Sequence, residues 1–304
     1  MNWKLFWELK ANSAAPALQV GRVVNGVQMN DALLAKIAAR VAEELDLQPI
    51  DSLLDVCCGN GALTRALLPY CKEIVGIDFS EKLIQQAQNY GDNINLVIAK
   101  SDGNNGTKNN LKKGLISDLN IAQNDKAKLG NQGFGLNQHI VPNEEQKLHE
   151  QELGSDLNIA QNDKAKLKGE LLGSKLKYVC GDAQNFVVEQ RFNKLVLYFS
   201  FQYFESQEMG KRVIENLIRH AKPGAKILLG DVTDMRNFFS YYHSPKKISH
   251  WLKQQVTGKN DMGKFWHPDE LQKICVALKV KGELIEQLAW QPYAKYRFDF
   301  LITC

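Results

Sequence analysis

Residues 53–64 read Leu53-Leu54-Asp55-Val56-Cys57-Cys58-Gly59-Asn60-Gly61-Ala62-Leu63-Thr64, and this stretch decides the fold. An apolar run of strand length leads into a turn with two glycines and then into residues with helical preference. Glycines at a strand exit let the backbone approach a ligand closely and make the tight turn into a helix, whose first N–H groups are free donors. Gly59-Asn60-Gly61 alone is a weak signal. A second comes from Asp78, which ends the next apolar run, Ile74-Val75-Gly76-Ile77, and lies 78 − 55 = 23 residues after Asp55. That is near the roughly 20-residue spacing at which an acidic side chain receives ribose hydroxyls. The two signals together indicate a ligand that contains adenosine.

The details of the loop discriminate between such ligands. A pyrophosphate-binding loop has the form G-x-G-x-x-G/A, whereas Thr64 occupies the third glycine position here. Asp55, four residues before Gly59, would repel a pyrophosphate and suits a ligand carrying an amino group and a sulfonium cation. S-adenosylmethionine therefore fits these residues better than NAD.

Working outward, the spacing predicts a helix capped by Asn30 or Asp31, with Leu33, Leu34, Ile37, Ala38, Val41 and Leu45 on its apolar side. Strands follow at 53–56 and 74–77, with helices at 62–68, curtailed by Pro69, and at 80–89, capped by Ser80. The alternation of strand and helix predicts βαβ units and a parallel sheet. Downstream, strands are expected at 176–180, 194–201, 225–230 and 296–303, the last half-buried. Helices are expected at 208–221, stopped by Lys222-Pro223-Gly224, and at 267–278. Residues 1–29 mix Trp3, Phe6 and Trp7 with small residues up to Val24-Asn25-Gly26, as in a lid or a surface brace.

The rhythm is interrupted by 101–174, which holds 11 Asn, 9 Gly and 9 Lys but no Arg, and only one aromatic residue, Phe134. A segment so poor in large apolar groups struggles to offset an ordering entropy of roughly 1 to 2 kcal/mol per residue, so a largely disordered insertion is expected. Within it, SDLNIAQNDKAKL occurs at 117–129 and again at 155–167. Two copies fall short of the three or so that a stacking repeat fold requires, so duplication within a surface insertion is the expectation, with a partner-docking element as the alternative. The insertion separates Asp78 from Asp182, so it interrupts one domain over 1–304 instead of linking two.

Bulk properties narrow the classes. With 38 Lys+Arg against 34 Asp+Glu and no dense basic run, the chain lacks the footprint of a dedicated nucleic-acid binder. No apolar run approaches the roughly 18 to 20 residues of a membrane span, and the opening MNWKLFWELK is unlike a signal peptide, so a cytoplasmic location is expected. The six cysteines show no C-x-x-C pairing and read as reduced thiols; no metal site is expected. Cys57 and Cys58 read as small packing residues.

LLDVCCGNGALT, IVGIDFS, YVCGDAQNF, NKLVLYFSFQYF and KPGAKILLGDV occur in that order. The series resembles the motifs of class I S-adenosylmethionine-dependent methyltransferases over about 51–233, the insertion apart. Its flavour is similar to the bacterial small-molecule group that includes the ubiquinone and menaquinone methyltransferases. The resemblance implies an α/β, Rossmann-like, seven-stranded and mostly parallel sheet with helices on both faces, and S-adenosyl-L-methionine as cofactor. It implies that Gly59, Asn60 and Gly61 pass the methionine moiety, that Asp55 orients its amino group, and that Asp78, followed by Phe79, binds the ribose hydroxyls. Asp182 and Ala183, with Gln184, would meet the adenine, and Tyr198 to Phe201 would line the methionine end. The sequence departs from the common motif in placing Cys57 at the first glycine position and Asn193 where Asp is usual. Asp102, after the rival strand 96–100, competes with Asp182 for the adenine role.

For the acceptor, the family implies a small molecule, such as a quinone, saccharide or natural-product precursor, methylated on oxygen, nitrogen or carbon. An N-terminal helical cap over 1–50 and a cover segment over 234–295 are expected to flank it. His243 and His267 are the candidate bases, each with a structural alternative. The competing readings are an RNA or protein methyltransferase and a non-catalytic S-adenosylmethionine-binding module. Missing N/D-P-P-Y and Pro-Cys motifs count against the RNA reading. The oligomeric state is left open.

Overall fold

The computed structural model describes residues 3–13, 16–24, 27–90, 175–257 and 262–304. Both copies of the repeat, Asp102, the strand expected at 96–100 and the insertion 101–174 lie outside the described residues. Seven strands form one sheet in the order β5-β4-β3-β6-β7-β9-β8. They are β3 (Ser52–Val56), β4 (Glu73–Asp78), β5 (Lys175–Cys180), β6 (Phe192–Tyr198), β7 (Ala221–Thr233), β8 (Lys281–Glu286) and β9 (Arg297–Thr303). All neighbouring pairs from β5 to β7 are parallel, and β9 is antiparallel to both β7 and β8. A hairpin of two-residue strands, β1 (Val23–Val24) and β2 (Val27–Gln28), stands apart near the N-terminus.

The sheet is covered on both faces, and the side-chain period of two sorts the core. Leu53, Ile74, Val196 and Leu228 face Leu34, Ile37, Val41 and Leu45 of α1 (Asp31–Leu45) and Leu63 and Leu67 of α2 (Ala62–Leu67). Their neighbours Leu54, Val75, Leu195, Leu197, Ile227 and Leu229 point the other way. They meet Val213, Ile214 and Leu217 of the helix Gln207–Arg219 and Leu271, Ile274 and Cys275 of the helix Pro268–Leu278. The expected caps form: Asn30 Oδ1 accepts from Leu33 N at 2.8 Å and Ser80 Oγ from Leu83 N at 3.3 Å, starting α1 and the helix at 81–90.

Several boundaries differ from the sequence reading. The strand expected at 194–201 is Phe192–Tyr198. Phe199 adopts φ 68° and turns the chain, so Phe201 falls in a 3-10 turn with Tyr203. The helix expected to reach Ala221 stops at Arg219, and Ala221 begins β7 instead. Lys222-Pro223-Gly224 lies inside that strand, where Gly224 takes φ 77°. β9 is not half-buried at its start, because β7 and β8 flank it; Arg297 and Asp299 are as buried as Phe298 and Phe300.

That burial accompanies a bulge in β7. Its pairing with β9 shifts register between Leu229 and Val232, where Asp231 takes φ 58°. Asp231 N donates to Asp299 Oδ1 at 2.6 Å, and Arg297 Nη1 donates to the Asp231 carbonyl at 2.6 Å and pairs with its carboxylate at 3.0 Å. Asn193, where the motif usually has Asp, accepts from Ser52 N and Oγ and donates to Asp51, pinning the starts of β3 and β6 together.

Candidate functional site

Strand order reverses beside β3: the chain runs from β3 outward to β4 and β5, then returns to β6 on the other side. Ligands of open α/β sheets bind at the carboxyl ends of the strands at such a point. A cavity of about 530 Å³ opens there, a volume in the range of small-molecule sites. Its lining draws on the ends of four strands, with Asp55 and Cys57 from β3, Asp78 and Phe79 from β4, Asp182 and Ala183 from β5, and Tyr198 from β6. Gly59 and Asn60 also line it, whereas Gly61 does not.

The glycine loop is built by close approaches. Gly59 has φ 58°, and a Cβ there would come within 2.6 Å of Val20 Cγ1. Gly61 has φ 71°, and a Cβ there would overlap the Tyr178 hydroxyl. Both positions therefore require glycine. Cys57 adopts φ 61° in the same loop, a left-handed conformation that costs a side-chain-bearing residue of order 1 to 3 kcal/mol. Burial, and then Asp78 and Asp55, push its thiol well above the ordinary cysteine range, so it is no nucleophile. Cys58 is buried beside Tyr178, Ile84 and Ala87.

The two acids after β3 and β4 are held differently. Asp78 accepts from Gly59 N and Ser80 N, both at 2.9 Å, one on each carboxylate oxygen. Burial raises it to about 6 against the pull of these two bonds, so it is chiefly ionised at neutral pH with lone pairs left for hydroxyl donors. Asp55 Oδ2 accepts from Thr64 Oγ1 at 2.6 Å. Burial raises it further, to about 7, with Asp78 adding repulsion. Asp55 therefore favours a cationic partner. Asp182 accepts from Gln184 N at 2.8 Å, which fixes the turn after β5, and Gly181 N donates to the Asp78 carbonyl at 2.9 Å. Tyr198 is buried, receives a hydrogen bond from Gln291 at 3.2 Å, and is pushed well up by burial, so its hydroxyl stays neutral.

The cover comes from the N-terminus. Trp3, Trp7, Val20 and Arg22 line the cavity, whereas none of the described residues of 234–295 does. Trp3 lies 4.4 Å from Tyr203 between ring centroids and donates through Nε1 to Glu205 at 2.9 Å. Asn60 Nδ2 donates to the Pro16 carbonyl at 2.9 Å and to Gln19 Oε1 at 3.0 Å, tying residues 16–19 to the glycine loop. The expected histidines are elsewhere. His267 caps the helix Pro268–Leu278 by accepting from Asp269 N at 3.2 Å, and His243 is exposed, with Nδ1 3.4 Å from the Ser240 carbonyl. Neither lines the cavity. The aromatic residues of 238–242 instead form a cluster of their own, in which Phe238 meets Tyr242, Trp251 and Phe265.

Sequence reasoning did not reach Arg22, Tyr203, Phe204 or Met209 in this lining. Tyr203, Phe204 and Met209 follow β6 at a distance set by a 3-10 turn, and Arg22 sits beside a two-residue strand, too short for periodicity to show. Among the described residues, no group of three or more His, Cys, Asp and Glu is placed to hold a metal ion, and no helix is long and apolar enough to cross a membrane.

Comparison with known proteins adds a family. A profile described as a methyltransferase domain matches residues 28–278. An uncharacterized methyltransferase of Schizosaccharomyces pombe is 36% identical over 64 residues, 21% of this chain and 25% of that protein. A 23S rRNA (uracil-C5)-methyltransferase of Enterobacter is 34% identical over 62 residues, 20% of this chain and 14% of that protein. The matched stretch thus spans a quarter or less of either relative. Among solved structures, an S-adenosylmethionine-dependent methyltransferase from Clostridium acetobutylicum is similar at a TM-score of 0.48 and 12% identity, covering 90% of this chain and 92% of the other. Magnesium protoporphyrin IX methyltransferase from Synechocystis is similar at 0.47 and 10%, covering 100% and 97%.

Proposed function

The chain belongs to the methyltransferase-domain family, and on that premise we propose that it is an S-adenosylmethionine-dependent methyltransferase of a small-molecule acceptor. The observation that carries the cofactor is the set of three carboxylates, Asp55, Asp78 and Asp182, around a cavity whose loop demands glycine at 59. Acids fit a ligand bearing an ammonium, a sulfonium and ribose hydroxyls, and they oppose the pyrophosphate of a dinucleotide.

In this reading Asp78 accepts the ribose hydroxyls, while Asp182 and Ala183 face the adenine. The loop Gly59-Asn60-Gly61 passes the methionine portion, and Asp55 attracts its amino group. When bound, the cofactor supplies a methyl group on an already activated sulfonium. The chain's own contribution is alignment and exclusion of water: Tyr198 and Phe199 wall the end of β6, and Trp3, Trp7 and Tyr203 cover the mouth. The neutral Tyr198 hydroxyl can donate or accept a hydrogen bond but takes up no proton as a base. Support for a small acceptor comes from this cover, which leaves an aromatic-lined recess. Among the described residues, Arg22 is the one cation in the lining. The rRNA methyltransferases among the partial relatives keep an RNA acceptor as the second reading.

Titration calorimetry tests the cofactor assignment. S-adenosylmethionine and S-adenosylhomocysteine should bind and NAD should not. Asp78→Ala should weaken S-adenosylhomocysteine by about tenfold or more, as loss of a charge-assisted hydrogen bond costs about 1.5 to 3 kcal/mol. Affinity of that variant within about twofold of wild type would refute the ribose role.

A further inference from the structure

The described residues of 234–265, a stretch expected to cover the substrate, line no part of the cavity. They form an excursion from the sheet whose ends are tied together. Trp266 N donates to the Thr233 carbonyl at 2.8 Å, and Met235 N donates to the Trp266 carbonyl at 2.9 Å. Because β7 is parallel to β6, the excursion leaves the sheet at the end where the cavity opens. Its helix, Pro245–Thr257, packs inward through half-buried Trp251, which meets Phe238 and Tyr242, and through buried Gln254. The outer face is apolar. Ile248, Leu252 and Val256, spaced four apart, are 36%, 53% and 88% exposed and form a row about 12 Å long. Single exposed apolar side chains are ordinary, but an aligned row marks a face that something covers. Phe239, in the same excursion, is 73% exposed.

Charge narrows what covers it. Residues 235–257 carry Arg236, Lys246, Lys247 and Lys253 and no Asp or Glu, although acids nearly match bases over the whole chain, 34 against 38. Asp234 and Glu286 engage Arg236, while Lys246 and Lys253 are exposed on the same helix as the apolar row. We propose that the helix Pro245–Thr257 is a docking element for the surface of an anionic phospholipid bilayer. Ile248, Leu252 and Val256 enter the boundary between headgroups and acyl chains, and Lys246 and Lys253 meet the lipid phosphates. A nucleic-acid backbone would engage the lysines but leave the apolar row in water. A neutral protein groove would take the row but leave the acid-free, lysine-bearing flank without a use. The inference is independent of the cofactor reading, since docking on lipid requires no methyl donor.

Co-sedimentation of the full chain with vesicles tests the proposal. Vesicles of phosphatidylcholine containing about one-third phosphatidylglycerol should bind the protein about tenfold or more tightly than phosphatidylcholine alone, and less tightly as salt is added. Lys246→Gln combined with Lys253→Gln should weaken binding to the anionic vesicles about tenfold or more, at about fivefold per lysine. Ile248→Ser, Leu252→Ser and Val256→Ser together should weaken it about tenfold or more at low and high salt alike. All five side chains are exposed, so both variants should keep the wild-type unfolding midpoint. Equal binding to the two kinds of vesicle, or binding to neither, would overturn the proposal. So would a serine variant that binds as wild type does, because the apolar row would then take no part. Retention of a single-stranded RNA oligonucleotide without any binding of vesicles would assign the surface to nucleic acid and overturn it as well.

Discussion

At the scale of the residue, the site is governed by what burial does to its acids. Asp55 is raised to about 7 from its ordinary value of 3.8, chiefly by desolvation. The folded, ligand-free protein thus retains a proton that the unfolded chain releases between about pH 4 and pH 7, and its stability falls as pH rises through that window. Below pH 4 the group is protonated in both states and contributes nothing; above pH 7 the full penalty is present. Asp55→Asn should therefore match wild type in denaturant unfolding near pH 4 and exceed it by about 4 kcal/mol at pH 8, at roughly 1.4 kcal/mol per pKa unit. A difference between the two proteins that does not change with pH would contradict this account. Asp55 and Asp78 could be picked out in the sequence because each follows its own apolar run and the chemistry is local. Arg22 could not, because its place in the lining follows from how the N-terminal segment crosses the glycine loop, which no spacing records.

At the scale of the element, the strands that alternate with helices were legible and the edge of the sheet was not. β3, β4 and β6 are buried on both faces and read as apolar runs. β8, Lys281-Gly282-Glu283-Leu284-Ile285-Glu286, is an edge strand with exposed Lys281, Glu283 and Glu286, and its composition resembles a loop. The β7 bulge was equally hidden, since it depends on Arg297 and Asp299 arriving from the far end of the chain. Its ion pair has a measurable consequence. Arg297→Met leaves Asp231 buried without its counter-charge and should cost about 3 to 5 kcal/mol in urea unfolding, whereas adding Asp231→Asn should recover part of that loss. A loss below about 1 kcal/mol for the single variant would show that the pair does not hold the bulge.

At the scale of the whole molecule, one sheet with a reversal beside β3 gathers residues from 3 to 209 around a single cavity. The order of motifs foretold the sheet and the strand ends that line the cavity, because each motif is a strand and the turn that follows it. The cover over the cavity was not foretold. A cover from 234–295 was expected, and the aromatic wall that forms belongs to Trp3, Trp7 and Tyr203. Which aromatic residues reach a cavity depends on how the N-terminal segment crosses the sheet, and composition does not carry that information. The central claim is that the gathered residues pass a methyl group from S-adenosylmethionine to a small molecule. Methyl-labelled S-adenosylmethionine, incubated with the protein and a cell extract separated into metabolite, RNA and protein fractions, tests it most directly. The account predicts label in the metabolite fraction that depends on the protein and is lost in Asp78→Ala. Label confined to RNA or protein, or no transfer to any fraction, would contradict it.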